Sequence, residues 1–445
     1  VAFGSLITSD IKPVADFGWI MCLGILISFF VSYSFFLCIL LLLPKGHSAT
    51  TLHHKPALTG YLADWSTGWS GTIVWLTLVA FGVATWGMSR VSMDNRFIEY
   101  FRTDTEIYQG LRFIDENLGG TIPFDVIVNF DPYEPQTSDD DSPFLDASSE
   151  DSFPERYWFT VDKVRTLKDI SEYLRQRPEI GKVISVATLE RIGRTFNDGE
   201  PLGSVELVAA LGAMPEDIRQ ELIAPYAAPV RGIMRISARL HEIDVEYSHD
   251  QLFAEIKQYT TDELGLAEDN VSITGMAVFF NSMLTELFDS QRSTILFVIA
   301  ATFLMFLVLL RSVIMALLGL VPNILAALSI LAFMGFTGIP LDIMTITIAA
   351  IIIGIGVDDA IHYLHRFRQE YDEECDVREA VHRTHASIGH AIYYTSATVV
   401  IGFSVLGFSN FMPTVYFGLL TALAMLLALL ANLTLLPALL VRVYG

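Results

Sequence analysis

The residues best suited to chemistry stand together in "GIGVDDAIHY", Gly354–Tyr363, where two adjacent carboxylates, Asp358 and Asp359, end an apolar run that begins near Ile343. A carboxylate at the centre of a bilayer costs roughly 2.5 to 3.5 kcal/mol, so its presence there points to proton uptake and release. Desolvation disfavours the charged form and a like-charged neighbour adds repulsion, so such a pair titrates as a coupled unit. Residues four apart share a helix face, which puts Gly354, Asp358 and His362 on one stripe and turns Asp359 about 100° away. Imidazole as a group changes charge near neutrality, which makes His362 a candidate relay partner. Gly354 and Gly356 permit close approach of a neighbouring helix. Thr395, Ser396 and Thr398 in "YYTSATVV" offer hydroxyls from the next apolar segment, against the competing reading that they bond their own backbone. The competing reading for the pair is a helix end at the water interface. At 1.5 Å per residue from Ile343, Asp358 lies about 22 Å along, in the inner half but still short of Arg366. Asp342 reads as a helix cap and Asp16 as interfacial.

The elements that must position these residues are membrane helices. Hydrophobic residues make up 52% of the chain and charged ones 18%, against about 25% charged in soluble domains. Runs long enough to span a bilayer read at Phe17–Leu43, Gly71–Met88, Ser293–Leu310, Val313–Phe336, Asp342–Leu364, Ile388–Phe408 and Thr414–Val441. Basic residues collect in alternate loops (Lys45, Lys55, Arg311, the "HRFRQEY" after the aspartate helix, Arg442), which predicts those loops to be cytoplasmic and the large acidic region to lie outside.

The two ends of the chain resemble each other. "FGSLITSDIKPVADFG" (Phe3–Gly18) and "FSVLGFSNFMPTVYFG" (Phe403–Gly418) align without gaps, matching Phe3, Leu6, Ser9, Pro13, Phe17 and Gly18 to Phe403, Leu406, Ser409, Pro413, Phe417 and Gly418. Such self-similarity predicts a duplicated architecture. Residues 1–43 then close a first transmembrane repeat, 44–70 are a cytoplasmic linker, 71–89 are the first helix of a second repeat, and 293–445 are its five-helix bundle. An intact protein would carry about twelve spans.

Residues 90–292 are predicted to form the external domain. "FDVIVNF" (Phe124–Phe130), a helix over Val161–Gln176 and "KVISVATL" (Lys182–Leu189) give β-α-β. "GIMRISARL" (Gly232–Leu240), a helix near Tyr247–Leu264 and "NVSITGM" (Asn270–Met276) give a second, together the split ferredoxin-like pattern. Ser204–Pro225 reads as a helical flap. The formal net charge of −22 resides largely in this region and argues against nucleic acid. The stretch Asp131–Glu155 reads as a solvated loop; Asp139, Asp140 and Asp141 lack the EF-hand spacing for calcium. No zinc-type Cys/His cluster occurs, and Cys22, Cys38 and Cys375 fall in or beside membrane segments, so neither a metal nor a disulfide framework is expected.

A helical polytopic membrane protein with a six-helix repeat, an external α+β ferredoxin-like (βαβ-βαβ) domain and "GxxxDD" in the fourth helix resembles the resistance–nodulation–division (RND) superfamily. It is most similar to the MMPL, hopanoid-exporter and Patched-like branch, to which "LVPNILA" (Leu320–Ala326) also conforms. The resemblance implies a proton relay at Asp358 and Asp359 in a proton-driven exporter of lipid-like or hydrophobic substrates, in a bacterial inner membrane with the large domain in the periplasm. It implies no cofactor. The expected partners are the substrate, membrane lipids, protons, a periplasmic or outer-membrane protein, and further copies of the chain as a dimer or trimer. One departure from the drug-efflux branch is that the aspartate pair stands in the second repeat. The alternative is a non-pumping sterol- or lipid-sensing receptor of the same fold. An enzyme is not expected: "GIGVD" misses the "GxGD" of intramembrane aspartyl proteases, the second membrane aspartate is lacking, and no P-loop occurs.

Overall fold

The computed structural model describes residues 3–4, 7, 12–42, 57–91, 96–134, 154–196, 200, 202–243, 247–342, 344–374 and 376–445. The acidic run Asp139–Asp141 and Cys375 lie outside the described residues. The chain divides into two compact units, Val1–Asn95 with Leu284–Gly445, and Arg96–Met283.

The first unit opens with α1 (Lys12–Leu42), α2 (Ala57–Gly68) and α3 (Ser70–Met88). The second unit follows. Its α4 (Glu106–Leu118) starts at Thr105, whose hydroxyl accepts from the Tyr108 N–H at 3.3 Å. It stops at Gly119, whose φ of 81° suits a residue without Cβ. Strand β1 (Ile122–Asn129) alternates, burying Phe124, Val126 and Val128. Then come α5 (Val161–Arg175), β2 (Ile180–Ile184), α6 (Val186–Phe196), α7 (Ser204–Gly212), α8 (Glu216–Leu222), β3 (Ala227–Ala228), β4 (Ile233–Leu240), α9 (His249–Gln258) and β5 (Val271–Gly275).

The sheet order is β2-β4-β1-β5, with β3 added beside β4, and every pairing is antiparallel. Helix α5 buries Val164, Leu167, Ile170 and Leu174, a period matched to one helix face, in the same core as the β1 side chains. Two expectations are corrected here. The strand read over Lys182–Leu189 ends at Ile184: the Ser185 N–H donates to the Thr188 hydroxyl at 3.2 Å and the chain turns into α6. The segment Ser204–Pro225 is no separate flap, because Leu207, Leu211 and Ile223 join the common core.

The first unit resumes along α10 (Met276–Leu310), α11 (Val313–Thr337), α12 (Ile348–Glu374), α13 (Val377–Ser387), α14 (Gly389–Ser404) and α15 (Met412–Tyr444). Among the described residues seven helices are long and apolar enough to cross a membrane: Val14–Leu42, Ser70–Met88, Ser293–Leu310, Val313–Thr337, Thr345–Asp372, Gly389–Phe408 and Met412–Tyr444. Helices α3 and α11 approach closely at two glycines, since a Cβ on Gly335 would fall 2.0 Å from the Gly87 carbonyl oxygen. Prolines 322 and 437 stand inside α11 and α15. Each removes one helical hydrogen bond and frees the carbonyl four residues before it. The matched ends of the chain hold equivalent ring pairs: Phe3 meets Phe17 edge-on at 6.0 Å, and Phe403 meets Phe417 edge-on at 5.9 Å.

Candidate proton-relay site

Helix α12 sits in the most buried part of the first unit, with Ile351, Ile352, Val357, Ala360, Tyr363, Leu364 and Phe367 all buried. That packing sets the two aspartates apart. Asp359 is 5% exposed and accepts a 2.8 Å hydrogen bond from the hydroxyl of Ser396, itself buried, on α14. Asp358 points to the other side, its side chain 70% exposed, with His362 Nε2 at 3.5 Å from Oδ1 and also exposed. The 100° step between neighbouring residues thus gives the two acids different surroundings.

The other candidates sort by the same geometry. Thr395 Oγ1 donates to the carbonyls of Ala391 at 3.1 Å and Ile392 at 2.9 Å, with the Asp359 carboxylate also within its reach. Thr398 donates to the Tyr394 carbonyl at 2.8 Å. Of the three hydroxyls, Ser396 makes the direct bond to Asp359 and Thr398 serves its own helix. Gly356 lies against α11: a Cβ there would meet Asn323 Oδ1 at 2.3 Å. Its carbonyl accepts from Asn432 Nδ2 of α15 at 3.5 Å. Gly354, half-buried, lines an apolar cavity of about 570 Å³ with Ile355 and α1 residues including Cys22, Leu26 and Phe30.

Several polar residues at this core were not singled out from the sequence. Asn323 and Asn432 are fully buried. One turn beyond Asp359, Tyr363 shares a 3.0 Å hydrogen bond with His385 Nδ1, and both are fully buried. No local pattern marks the second histidine of "VHRTHAS" as internal; its contact with Tyr363 of α12 does. Asp342 caps the chain ahead of α12, accepting from the N–H groups of Met344 at 2.8 Å and Thr345 at 2.7 Å, as read. Among the described residues no group of three or more His, Cys, Asp or Glu side chains could hold a metal ion.

Comparison with known proteins fits this architecture. Residues 237–443 match the MMPL family. A membrane protein of Methanocaldococcus jannaschii is 29% identical over 153 residues, 34% of this chain and 39% of that one. A membrane protein of Streptomyces coelicolor is 38% identical over 119 residues, 26% of this chain and 17% of that one. Among solved structures, the hedgehog release protein Disp from the water bear Hypsibius dujardini superposes with a TM-score of 0.59 at 14% identity, covering all of this chain and 57% of that one. The matched regions therefore span well under two thirds of each of these proteins. The likeness to Disp is one of fold, and the apolar helices together with the matches to membrane proteins identify a multi-pass membrane protein.

Proposed function

From the match of residues 237–443 to the MMPL family we propose that the chain is part of a proton-motive-force-driven exporter of lipid-like or hydrophobic molecules. The observation that carries this reading is a carboxylate, Asp359, buried within a membrane helix and hydrogen-bonded to Ser396 of a neighbouring helix. Charge at such a position is tolerated where its gain and loss does work. Protonated and ionised Asp359 would favour different packings of α12 against α14, and a proton gradient would drive the exchange. Asp358 and His362 form the exposed arm of the relay, with Thr395 beside Asp359.

The finer architecture belongs to the same proposal. The antiparallel order β2-β4-β1-β5, with α5 between β1 and β2 and α9 between β4 and β5, supports a ferredoxin-like external domain over residues 90–292. The matched phenylalanine pairs support the duplicated six-helix repeat. An inner-membrane location with this domain in the periplasm, a dimer or trimer, and a periplasmic partner complete the reading.

The test is proton flux in liposomes carrying the intact protein under an imposed pH gradient. Substrate-dependent uptake should be present in the wild type and lost in Asp359→Asn. Absence of uptake in the wild type, or uptake unchanged in both Asp358→Asn and Asp359→Asn, would overturn the exporter reading in favour of the non-pumping lipid sensor.

A further inference from the structure

Helix α4 is fastened to its unit by polar groups. Ile107, Leu111, Ile114 and Leu118 share one face by their spacing, yet Ile107 and Leu118 are more than half exposed and none of the four joins the sheet core. The buried residue of α4 is a carboxylate, Asp115. It accepts the N–H groups of Glu242 at 3.1 Å and Ile243 at 3.2 Å, just past the end of β4, and lies 3.5 Å from His241 Nδ1. Glu242 is buried beside it and accepts the N–H groups of Phe97 and Ile98, in the turn Phe97–Tyr100. Two acids, and little apolar packing, therefore hold α4 to the sheet.

The hydrogens at this junction do not suffice when both acids are ionised. Thr121 Oγ1 stands 3.3 Å from Asp115 Oδ1 and 2.5 Å from Glu242 Oε2. A hydroxyl has one hydrogen and an ionised carboxylate only accepts, so one of these contacts would set a lone pair against a carboxylate oxygen. A proton on Glu242 resolves this. The carboxyl O–H donates to Thr121 Oγ1, and Thr121 gives its own hydrogen to Asp115. Each Asp115 oxygen already takes a backbone N–H, which suits Asp115 to remain the anion.

We propose that this proton is a pH-gated catch: while it bridges Glu242 and Asp115 through Thr121 it holds α4 to the end of β4, and its departure frees α4 as an arm. The reading is independent of the transport proposal. On departure the Glu242 O–H bond breaks, the proton goes to water, and two negative charges share one buried site. His241, a quarter exposed, brings the cluster to solvent. Of the two sides α4 yields, because Ile98 and Leu240 are buried and Phe97 packs against the sheet core. Burial, aided by the Asp115 charge, holds the Glu242 carboxyl above its ordinary 4.5 against the bonds from Thr121, Phe97 and Ile98. The catch is therefore complete below 4.5 and is lost as pH rises through the raised value.

The other charges on the packed segments are paired or turned away. Arg96 and Glu99 of the turn pair at 3.0 Å, and Arg112 and Glu116 of α4 pair at 2.8 Å. Beside and within β2, Glu179 and Lys182 approach through their backbones: the Glu179 carbonyl takes the His241 N–H, and the Lys182 N–H gives to the Gly119 carbonyl, both at 2.9 Å. Arg239 of β4 is exposed, and the Tyr247 hydroxyl donates to the His241 carbonyl at 3.2 Å.

Hydrogen exchange of the intact protein in nanodiscs, read by mass spectrometry and corrected for the intrinsic rate at each pH, tests the catch. Peptides over residues 106–118 should be protected in acid and lose about tenfold or more of that protection as pH rises, in keeping with hydrogen bonds to a charged group. Peptides over β1 and β4 should hold theirs. Glu242→Gln, whose amide can donate to Thr121 and accept from Phe97, should keep α4 protected throughout. Thr121→Val removes the bridge and should move the midpoint, which decides the matter where Glu242→Gln does not fold. Protection of α4 that ignores pH, a step kept in Glu242→Gln, or a midpoint unmoved in Thr121→Val would overturn the catch. So would a loss shared equally by α4, β1 and β4, which is unfolding of the unit, or a step that vanishes in His241→Gln alone, which assigns it to the imidazole.

Discussion

At the scale of single residues, adjacent aspartates with one chemistry occupy two environments, and their substitutions should part accordingly. Asp359→Asn should abolish gradient-driven proton uptake. Asp358→Asn should reduce it by less, since its side chain faces outward with His362. Ser396→Ala, which removes the direct hydrogen bond to Asp359, should slow uptake by about tenfold, in keeping with roughly 1.5–3 kcal/mol for a bond to a charged group. The liposome assay checks all three, and equal losses at 358 and 359 would contradict the division. This much was partly legible in the sequence. The apolar run and the paired acids mark the site, and the helical period separates their faces. Which face is buried depends on α14 and α11, whose contacts with α12 no local pattern encodes. The same limit hid His385, which looks like any other polar residue in "VHRTHAS" until Tyr363 and Leu433 are brought to it.

Elements meet where side chains are missing. Gly356 leaves room for Asn323 of α11, so Gly356→Val should force the two helices apart at a cost of about 1–3 kcal/mol, typical of overpacking. A lowered unfolding temperature of the purified protein would register it, while Gly82→Ala, with open space around its Cα, should leave that temperature unchanged. Six of the seven spans read from the sequence agree with the helices to within three residues at each end, because length and apolarity alone identify a membrane helix. The aspartate helix runs on from the expected Leu364 to Asp372. The helices α4, α6 and α13 are not legible there, since short amphipathic segments compete with strand and loop readings. Lys182–Leu189 illustrates the conflict: its β-branched residues favour a strand, and the turn at Ser185 decides otherwise.

For the whole molecule, division into two units predicts separable responses. Phe124 is fully buried at the centre of the sheet core, and Phe124→Ala should remove about 3–5 kcal/mol from the unit of residues 96–283. Calorimetry of the intact protein should show one transition moved and another held. The same unit carries a proton-linked term. Glu242 is buried, accepts from Thr121 and from the N–H groups of Phe97 and Ile98, and faces Asp115. Burial, aided by Asp115, raises its pKa above the ordinary 4.5 despite those bonds. Its stabilisation is therefore complete below 4.5 and is lost as pH rises through the folded value. Glu242→Gln, which cannot ionise, should lack that loss, so the unfolding midpoints of wild type and variant should diverge as pH rises from 4.5 toward neutrality.

Pro437 carries one more consequence. Proline has no amide proton, so position 437 itself is silent in backbone hydrogen exchange, and the Leu433 carbonyl it would have held is instead held by the ring proton of His385. That single imidazole N–H becomes the exchange clock for the opening of α15, reporting from a side chain what other turns report from their own backbone.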